Sequence, residues 1–373
     1  MSADDVLIIG GGVIGLSMAY ELATHGARVR VLERGEVGRE SSWAGAGILP
    51  PGTLRQTADS YAALVAMGHR LHEQWARRLA EETGIDNGYR RSGGLRVARD
   101  HAAAELLSAA SVLWHELGIR AESVREDELA ELEPALADRT GREPLTAVWY
   151  LPDEAQVRNP WHMRALLAAC GRLGVEIETG TPVENFELRD GRVAAVRTMD
   201  GRREAARYCV AGGAWSGQLL NRLGITLGVR PIRGQIVMLR CFPGSLNKIV
   251  NEGPRYIVPR TDGRVLIGST EEDVGFDKRT TAEAVRDLIQ LGQDLVPHLA
   301  EAEVERCWAG LRPGTADDYP YMGQVPGYDN VFVAAGHFRA GLQLSPATAV
   351  VMRKLVDGGD PEIDMSIFRL DRS

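Results

Sequence analysis

Residues 6–33 read VLIIGGGVIGLSMAYELATHGARVRVLE, a continuous apolar run, three glycines, a helical segment and a second apolar run that closes on an acid. Val6 to Ile9 suits a strand buried on both faces. Gly10, Gly12 and Gly15 follow it in G-x-G-x-x-G spacing. Gly10 permits the tight turn, Gly12 lets a pyrophosphate approach the backbone, and Gly15 lets the helix pack close to the strand. Val13 and Ile14 open that helix, so its N-terminus faces the diphosphate. Leu16, Ala19, Tyr20, Leu22 and Ala23 give it an apolar stripe, Gly26 stops it, and Arg28 to Leu32 form the second strand. Glu33 can accept from both ribose hydroxyls and repels a 2′-phosphate, which favours FAD or NAD over NADP. The segment predicts an α/β fold with a Rossmann-like nucleotide-binding unit.

After Glu33 the chain continues RGEVGRESSWAGAGILPP, a small-residue loop where many NAD-binding units enter another helix. FAD fits better, because its ribityl and isoalloxazine parts extend beyond the first βαβ unit. Arg34 follows the acid, and Ser41, Ser42, Gly45, Ala46, Gly47 and Ile48 supply a second segment able to approach a cofactor closely. No second G-x-G-x-x-G occurs. A separate NAD(P)H fold is therefore not indicated, and the flavin would be reduced directly by substrate.

The formal charge of −8 and the absence of a basic, aromatic-interleaved run argue against a nucleic-acid partner. Lys248, Lys278 and Lys354 are the only lysines among 43 basic residues, so any one arginine is weak evidence for a site. Cys170, Cys209, Cys241 and Cys307 are far apart, with no C-x-x-C and no histidine at ligand spacing, so no metal is expected and reduced thiols suit a cytoplasmic location. Asp4 and Asp5 stand where a signal peptide would be basic. No apolar run of about 18 residues could span a bilayer, so no membrane partner is expected. The sequence carries no signature of oligomeric state, and a homo-oligomer stays open.

Ser60 to Glu82 reads as a long helix, with Tyr61, Leu64, Met67, Leu71 and Trp75 at helical spacing. Arg91 to Val97 suggests a strand leaving the nucleotide domain, followed by helices at about 101–117 and 126–132. The return lies near Ala147, with a helix from Pro160 to Leu173. Val183 to Leu188 and Arg192 to Arg197 alternate about Asp190-Gly191, a hairpin signal. The next strand ends in YCVAGGAWS, bringing Gly212 and Trp215 to the carboxyl edge of an open sheet, where ligands bind. From Arg230 the pattern turns antiparallel, with a helix at about 281–296. The final strand, Val331 to Ala335, meets Gly336 and His337, and Arg339, Ala340, Gly341, Leu342 and Gln343 lead into the terminal helix. Its N-terminus at the pyrimidine end of a flavin would stabilise negative charge developing on reduction. The expected division is an FAD-binding domain of residues 1–90, 146–229 and 318–373, and an α+β substrate domain of 91–145 and 230–317 built on an antiparallel sheet.

Together GGGVIG with Glu33, GRESSWAGAGILPP, YCVAGGAWS, RYIVPRTDGRVLIGST, AGLRPGTADDYPYMG and AAGHFRAGLQLSPAT resemble the FAD-dependent amine oxidases. Within them the chain is most similar to the glycine oxidase group of thiamine biosynthesis, with a D-amino-acid oxidase-like fold. The resemblance runs from residue 5 to about 356, and its last three motifs are the specific ones. It implies that Arg312 pairs with a substrate carboxylate, that Tyr256 hydrogen-bonds to it, and that Arg339 adds a second cationic contact. The plainer alternatives are a packed strand residue for Tyr256 and a structural ion pair for Arg339. A bidentate guanidinium and a phenol would fix one end of a small amino acid and leave its α-carbon over flavin N5. The implied reaction is oxidation of glycine, with sarcosine and small D-amino acids as further substrates and molecular oxygen as acceptor, giving hydrogen peroxide. No acid or base residue is required, and His337 reads as a packing residue. Related sarcosine oxidases attach FAD through a cysteine near the stretch matching Gly310 to Arg312, where this chain has none, so noncovalent FAD is expected. A D-amino-acid dehydrogenase with a quinone acceptor and a noncatalytic or RNA-modifying flavoprotein are the alternatives.

Overall fold

A computed structural model describes residues 4–137 and 143–372. Two sheets organise them. The first has six strands in the order Tyr321–Gln324, Val331–Ala335, Ala205–Val210, Asp4–Ile9, Val29–Leu32 and Glu176–Glu178, parallel throughout except for the first pair. Leu7 and Ile8 are fully buried between neighbours on both sides, as an uninterrupted apolar strand requires. The five parallel strands finish with their carboxyl ends at one edge. Gly10, Glu33, Gly212 and Gly336 therefore arrive side by side, although they are spread along the whole chain.

Four helices, Val13–Thr24, Ser60–Thr83, Asn159–Arg172 and Gly341–Val356, pack together over one face. Leu16, Met18, Tyr20, Leu22, Trp75, Leu79, Leu344, Val351 and Met352 form their common core. Burying each of these large side chains stabilises the fold by roughly 1.5–3 kcal/mol before entropy is counted. Asp59 caps the long helix by accepting from Tyr61 N at 2.9 Å and Ala62 N at 3.0 Å, and Gly84 ends it with φ +72°. On the other face lies a three-stranded sheet, Asn185–Arg189, Arg192–Thr198 and Gly201–Arg203, whose Phe186, Val193 and Val196 pack with Tyr208. Asp190 and Gly191 turn its hairpin with φ +51° and +77°, as the Asp-Gly pair implies.

The second sheet has eight strands, ordered Glu303–Gly314, Arg230–Arg240, Arg264–Gly268, Arg255–Pro259, Ile249–Glu252, Gly94–Ala98, Ala147–Leu151 and Glu122–Ser123. All pairings are antiparallel except Ile249–Glu252 with Gly94–Ala98. Alternation divides its side chains cleanly. Val237, Leu239, Ile257, Val265 and Ile267 pack under the Ala282–Leu295 helix through Leu288, Leu291 and Leu295. Ile236, Met238, Tyr256, Val258, Leu266 and Trp308 face the opposite way, toward Ala46 and Ile48 of the nucleotide half.

Three local readings are corrected. Ala147–Leu151 bonds to Gly94–Ala98, so the chain is still in the second sheet at 146, where the return was expected. An apolar VWYL run makes a strand in either sheet, and its partner is chosen by distant residues. Second, the segment expected as loop holds a single helical turn, Ser41–Ala44, and a short strand, Ile48–Leu49, that pairs with Ala155–Gln156. Third, the strands Ile249–Glu252 and Glu122–Ser123 were not expected at all. Residues 138–142 of the expected substrate domain lie outside the described residues. Among the described residues no helix is long and apolar enough to cross a membrane, and no group of three candidate metal ligands occurs.

Candidate active site

One cleft of about 610 Å³ runs from the carboxyl edge of the first sheet to the second. Of the residues expected to hold the cofactor, all but Gly15 line it. Gly15 acts from behind: a Cβ there would lie 1.9 Å from the Gly10 carbonyl oxygen, so only glycine lets the helix approach the strand. Gly10 has φ +117°, and a Cβ on it would meet the Ala211 carbonyl oxygen at 2.4 Å. At the helix start Ser42 Oγ accepts from Val13 N at 2.8 Å. Glu33 is oriented by its own turn, accepting from Gly11 N at 2.8 Å and Gly35 N at 2.9 Å. Arg34 lies 3.5 Å over the Trp215 ring, which stacks in turn on Phe276. Across the cleft, the Val183 carbonyl accepts from Arg222.

Further along, the Ser41 to Ile48 segment is held by groups from several elements. Asn159 Nδ2 donates to Ser42 O at 2.8 Å, Trp308 Nε1 to Ala44 O at 2.9 Å, and Arg260 Nη2 to Ala46 O at 2.7 Å. Arg260 is buried and also donates to Gln156 Oε1 at 2.6 Å, and its pKa falls to about 9, first through burial. Gly47 has φ +75°, and a Cβ there would lie 2.0 Å from the Val157 carbonyl oxygen. Opposite, the Gly341–Val356 helix starts on the cleft with no side-chain cap. Gln343 Nε2 donates to Pro50 O at 3.0 Å, joining that helix to the loop. His337 is buried, meets Thr348 Oγ1 at 3.1 Å, and burial lowers its pKa to about 3, so it stands as a neutral packing group.

The far end belongs to the second sheet. Tyr256, Arg312 and Arg339 all reach it. Arg312 donates to Thr270 O at 3.2 Å and to Ser269 Oγ, and among the described residues no carboxylate pairs with it. Burial pulls its pKa below the ordinary arginine value. Arg339 behaves otherwise, meeting Glu271 Oε2 at 2.8 Å, so the ion-pair alternative describes its resting contact. Beside them Phe338 holds φ +45°, an uncommon conformation for a bulky residue, and its N–H donates to Pro313 O at 3.0 Å.

Several site residues escaped the sequence reading. Gly234 makes room for Arg312, since a Cβ would lie 2.2 Å from Nη1, and Gly268 does the same for Tyr256, whose OH would be 2.7 Å away. Arg96 donates to fully buried Glu154 at 2.8 and 3.1 Å, with Asn251 Nδ2 at 3.4 Å from the same carboxylate. These groups have no local signature, because each is placed by a partner far away in sequence.

The glycine turn with Glu33 at one end of the cleft, and the small-residue loop at the other, offer the close-approach backbone and the acidic acceptor that FAD needs. Comparison with known proteins agrees. Residues 5–355 match the model of the FAD dependent oxidoreductase family. A glycine oxidase from Pseudomonas aeruginosa is 38% identical over 364 residues, covering 97% of each chain. The crystal structure of glycine oxidase from Geobacillus kaustophilus superposes with a TM-score of 0.94 at 33% identity, covering 100% of both chains. An iminodiacetate oxidase from Chelativorans sp. superposes at 0.87 with 29% identity and 98% coverage of both chains. From the glycine cradle to the full-length family match, this chain belongs to the FAD dependent oxidoreductase family and takes FAD as its cofactor.

Proposed function

We propose that this protein is a glycine oxidase, acting also on sarcosine and small D-amino acids, with the thiamine-thiazole role that the sequence resemblance implies. The observation that carries this reading is Arg312: a partly enclosed guanidinium, bound only to neutral oxygens, in the same cleft as Tyr256. An uncompensated charge in such a place is costly unless a ligand anion completes it. The planar fork suits a carboxylate in bidentate geometry, with the Tyr256 hydroxyl as a second donor. The substrate carboxylate thus anchored leaves its α-carbon toward the Gly45 to Ile48 loop.

The glycine turn, Glu33 and the Ser41 to Ile48 segment would hold FAD, which would supply the two-electron acceptor for a hydride from the α-carbon, with molecular oxygen and two protons as the source of hydrogen peroxide. The chain supplies position rather than proton transfer. Glu154 is locked by Arg96, and His337 is bonded to Thr348 and made a weak base by burial, so neither is set to take a substrate proton. The substrate ammonium loses its proton to solvent, and the imino acid leaving the site is hydrolysed to glyoxylate and ammonia from glycine, to glyoxylate and methylamine from sarcosine, and to a 2-oxo acid and ammonia from a D-amino acid. The N-terminal turn of the Gly341–Val356 helix presents its positive end to the cleft. The same reading divides the chain into an FAD-binding unit of 1–90, 152–229 and 318–373 and a substrate unit of 91–151 and 230–317, with the return moved past Leu151. It places the protein in the cytoplasm, consistent with four free thiols.

Anaerobic addition of glycine is expected to bleach the flavin absorbance, and stoichiometric peroxide is expected in air. If neither glycine nor D-alanine bleached it, the reading would fail. Bleaching without peroxide would favour a dehydrogenase.

A further inference from the structure

Arg339 reaches the substrate end of the cleft already paired. Its Nη2 lies 2.8 Å from Oε2 of Glu271, in the loop after the Arg264–Gly268 strand, and 3.4 Å from the Pro254 carbonyl oxygen. Arg96, the third cation of this end, is cancelled by Glu154. Arg312 alone has neutral partners. Counting these groups, the substrate end carries one net positive charge, that of Arg312. Its guanidinium is desolvated first by burial and also feels the charges of Arg339 and Glu271, so the three form one electrostatic unit.

We propose that Glu271 determines the substrate class of this site: by neutralising Arg339 it matches the cleft to one carboxylate and turns away amino acids that carry a second. This rests on the reading of Arg312 as carboxylate anchor. A monocarboxylate brings the local charge to zero. A dicarboxylate, such as iminodiacetate or an acidic D-amino acid, leaves one negative charge over, and the cation that would balance it, Arg339, is already taken by Glu271. Discrimination of this kind comes from a repulsive element as much as from an attractive one. Removing the Glu271 charge frees Arg339, and the same cleft then balances a dianion. Glu271 is exposed, at 48% of its side-chain surface, so its replacement by glutamine leaves the core untouched.

The test is equilibrium binding of acetate and of malonate to the FAD-loaded protein, measured by calorimetry at low ionic strength. In Glu271→Gln the preference for malonate over acetate is expected to rise about tenfold, an effect that shrinks as salt screens it. Glu271→Asp, which keeps the charge, is expected to retain the original preference. The double variant Glu271→Gln with Arg339→Gln is expected to lose the gain, since the freed cation is then absent. A preference that stays within about twofold of the original in Glu271→Gln overturns the proposal. Acetate that fails to bind the unmodified protein overturns it too, together with the role of Arg312. Acetate binding without bleaching by glycine removes only the substrate assignment, and the charge balance is still decided by the two anions.

Discussion

His72 Nε2 lies 2.8 Å from the carbonyl oxygen of Leu342, the oxygen that Pro346, four residues on, leaves without a helical donor. Proline has no N–H to give, and a helix carbonyl in the protein interior must find another partner. Leu342 finds two, His72 and the Ser345 hydroxyl at 2.9 Å. The close approach is possible because Gly68, on the same helix as His72, would otherwise set a Cβ 2.5 Å from Gln343 O. His72→Ala is expected to cost about 1–3 kcal/mol in denaturant unfolding, the scale of a lost buried hydrogen bond. In a Pro346→Ala background the restored N–H makes that loss smaller. Strictly additive costs of the two substitutions would remove the assignment.

Acid is expected to destabilise the fold before the carboxylates titrate. Burial lowers His72 to about 4, and His162 and His337 to about 3, from an ordinary value of 6.5. Between 6.5 and those values the unfolded chain binds protons that the folded chain refuses, so stability is complete above 6.5 and falls as pH drops through the window. Each histidine contributes about 1.4 kcal/mol per pH unit. Urea midpoints measured at about pH 7.5 and about pH 5 report the loss, and a pH-independent midpoint would contradict it.

Arg312→Lys keeps the charge and loses the fork. Apparent affinity for glycine, or for acetate as a competitor, is expected to fall about tenfold or more while FAD stays bound. Unchanged binding of both would remove Arg312 from the site.

Gly234→Ala acts on the same guanidinium without touching its chemistry. The added methyl would sit 2.2 to 2.4 Å from Nη1, Nη2 and Cζ of Arg312, so the side chain must move. Weakened acetate binding with normal FAD absorbance is the expected result. A variant that binds acetate normally would show that the arginine has room to spare.

FAD is expected in the supernatant after acid precipitation. None of the four cysteines lines the cleft. Cys307, the nearest in sequence to the Gly310–Arg312 stretch, is exposed and pairs with Val237, on the sheet face opposite to Trp308, which packs with Ala46 and Ile48. Flavin retained in the precipitate would refute noncovalent attachment.

The nucleotide end was legible because its information is local. A strand, three glycines, a helix and an acid lie within one short segment, and the backbone demands of Gly10 and Gly15 are met there. Tyr256 and Arg312 were reached through motifs, and both line the cleft where the second sheet closes it. Gly234, Gly268 and Glu271 were not reached, since each matters only through a partner on another strand or loop. The placement of Ala147–Leu151 failed for the same reason: local pattern makes a strand, and only the assembled sheet says whose neighbour it is.

The carbonyls of Ala44 and Ala46 are suspended from Trp308 and Arg260, side chains that the second sheet supplies. That loop is thus tied across the two halves, whereas Glu33 is held within one, by the backbone of Gly11 and Gly35. Opening between the halves would free the loop while Glu33 and the first glycines kept their shape. Partial unfolding is therefore expected to turn the protein from an enzyme into a tether, holding the nucleotide by its adenosine while the ring swings into solvent and regains its fluorescence.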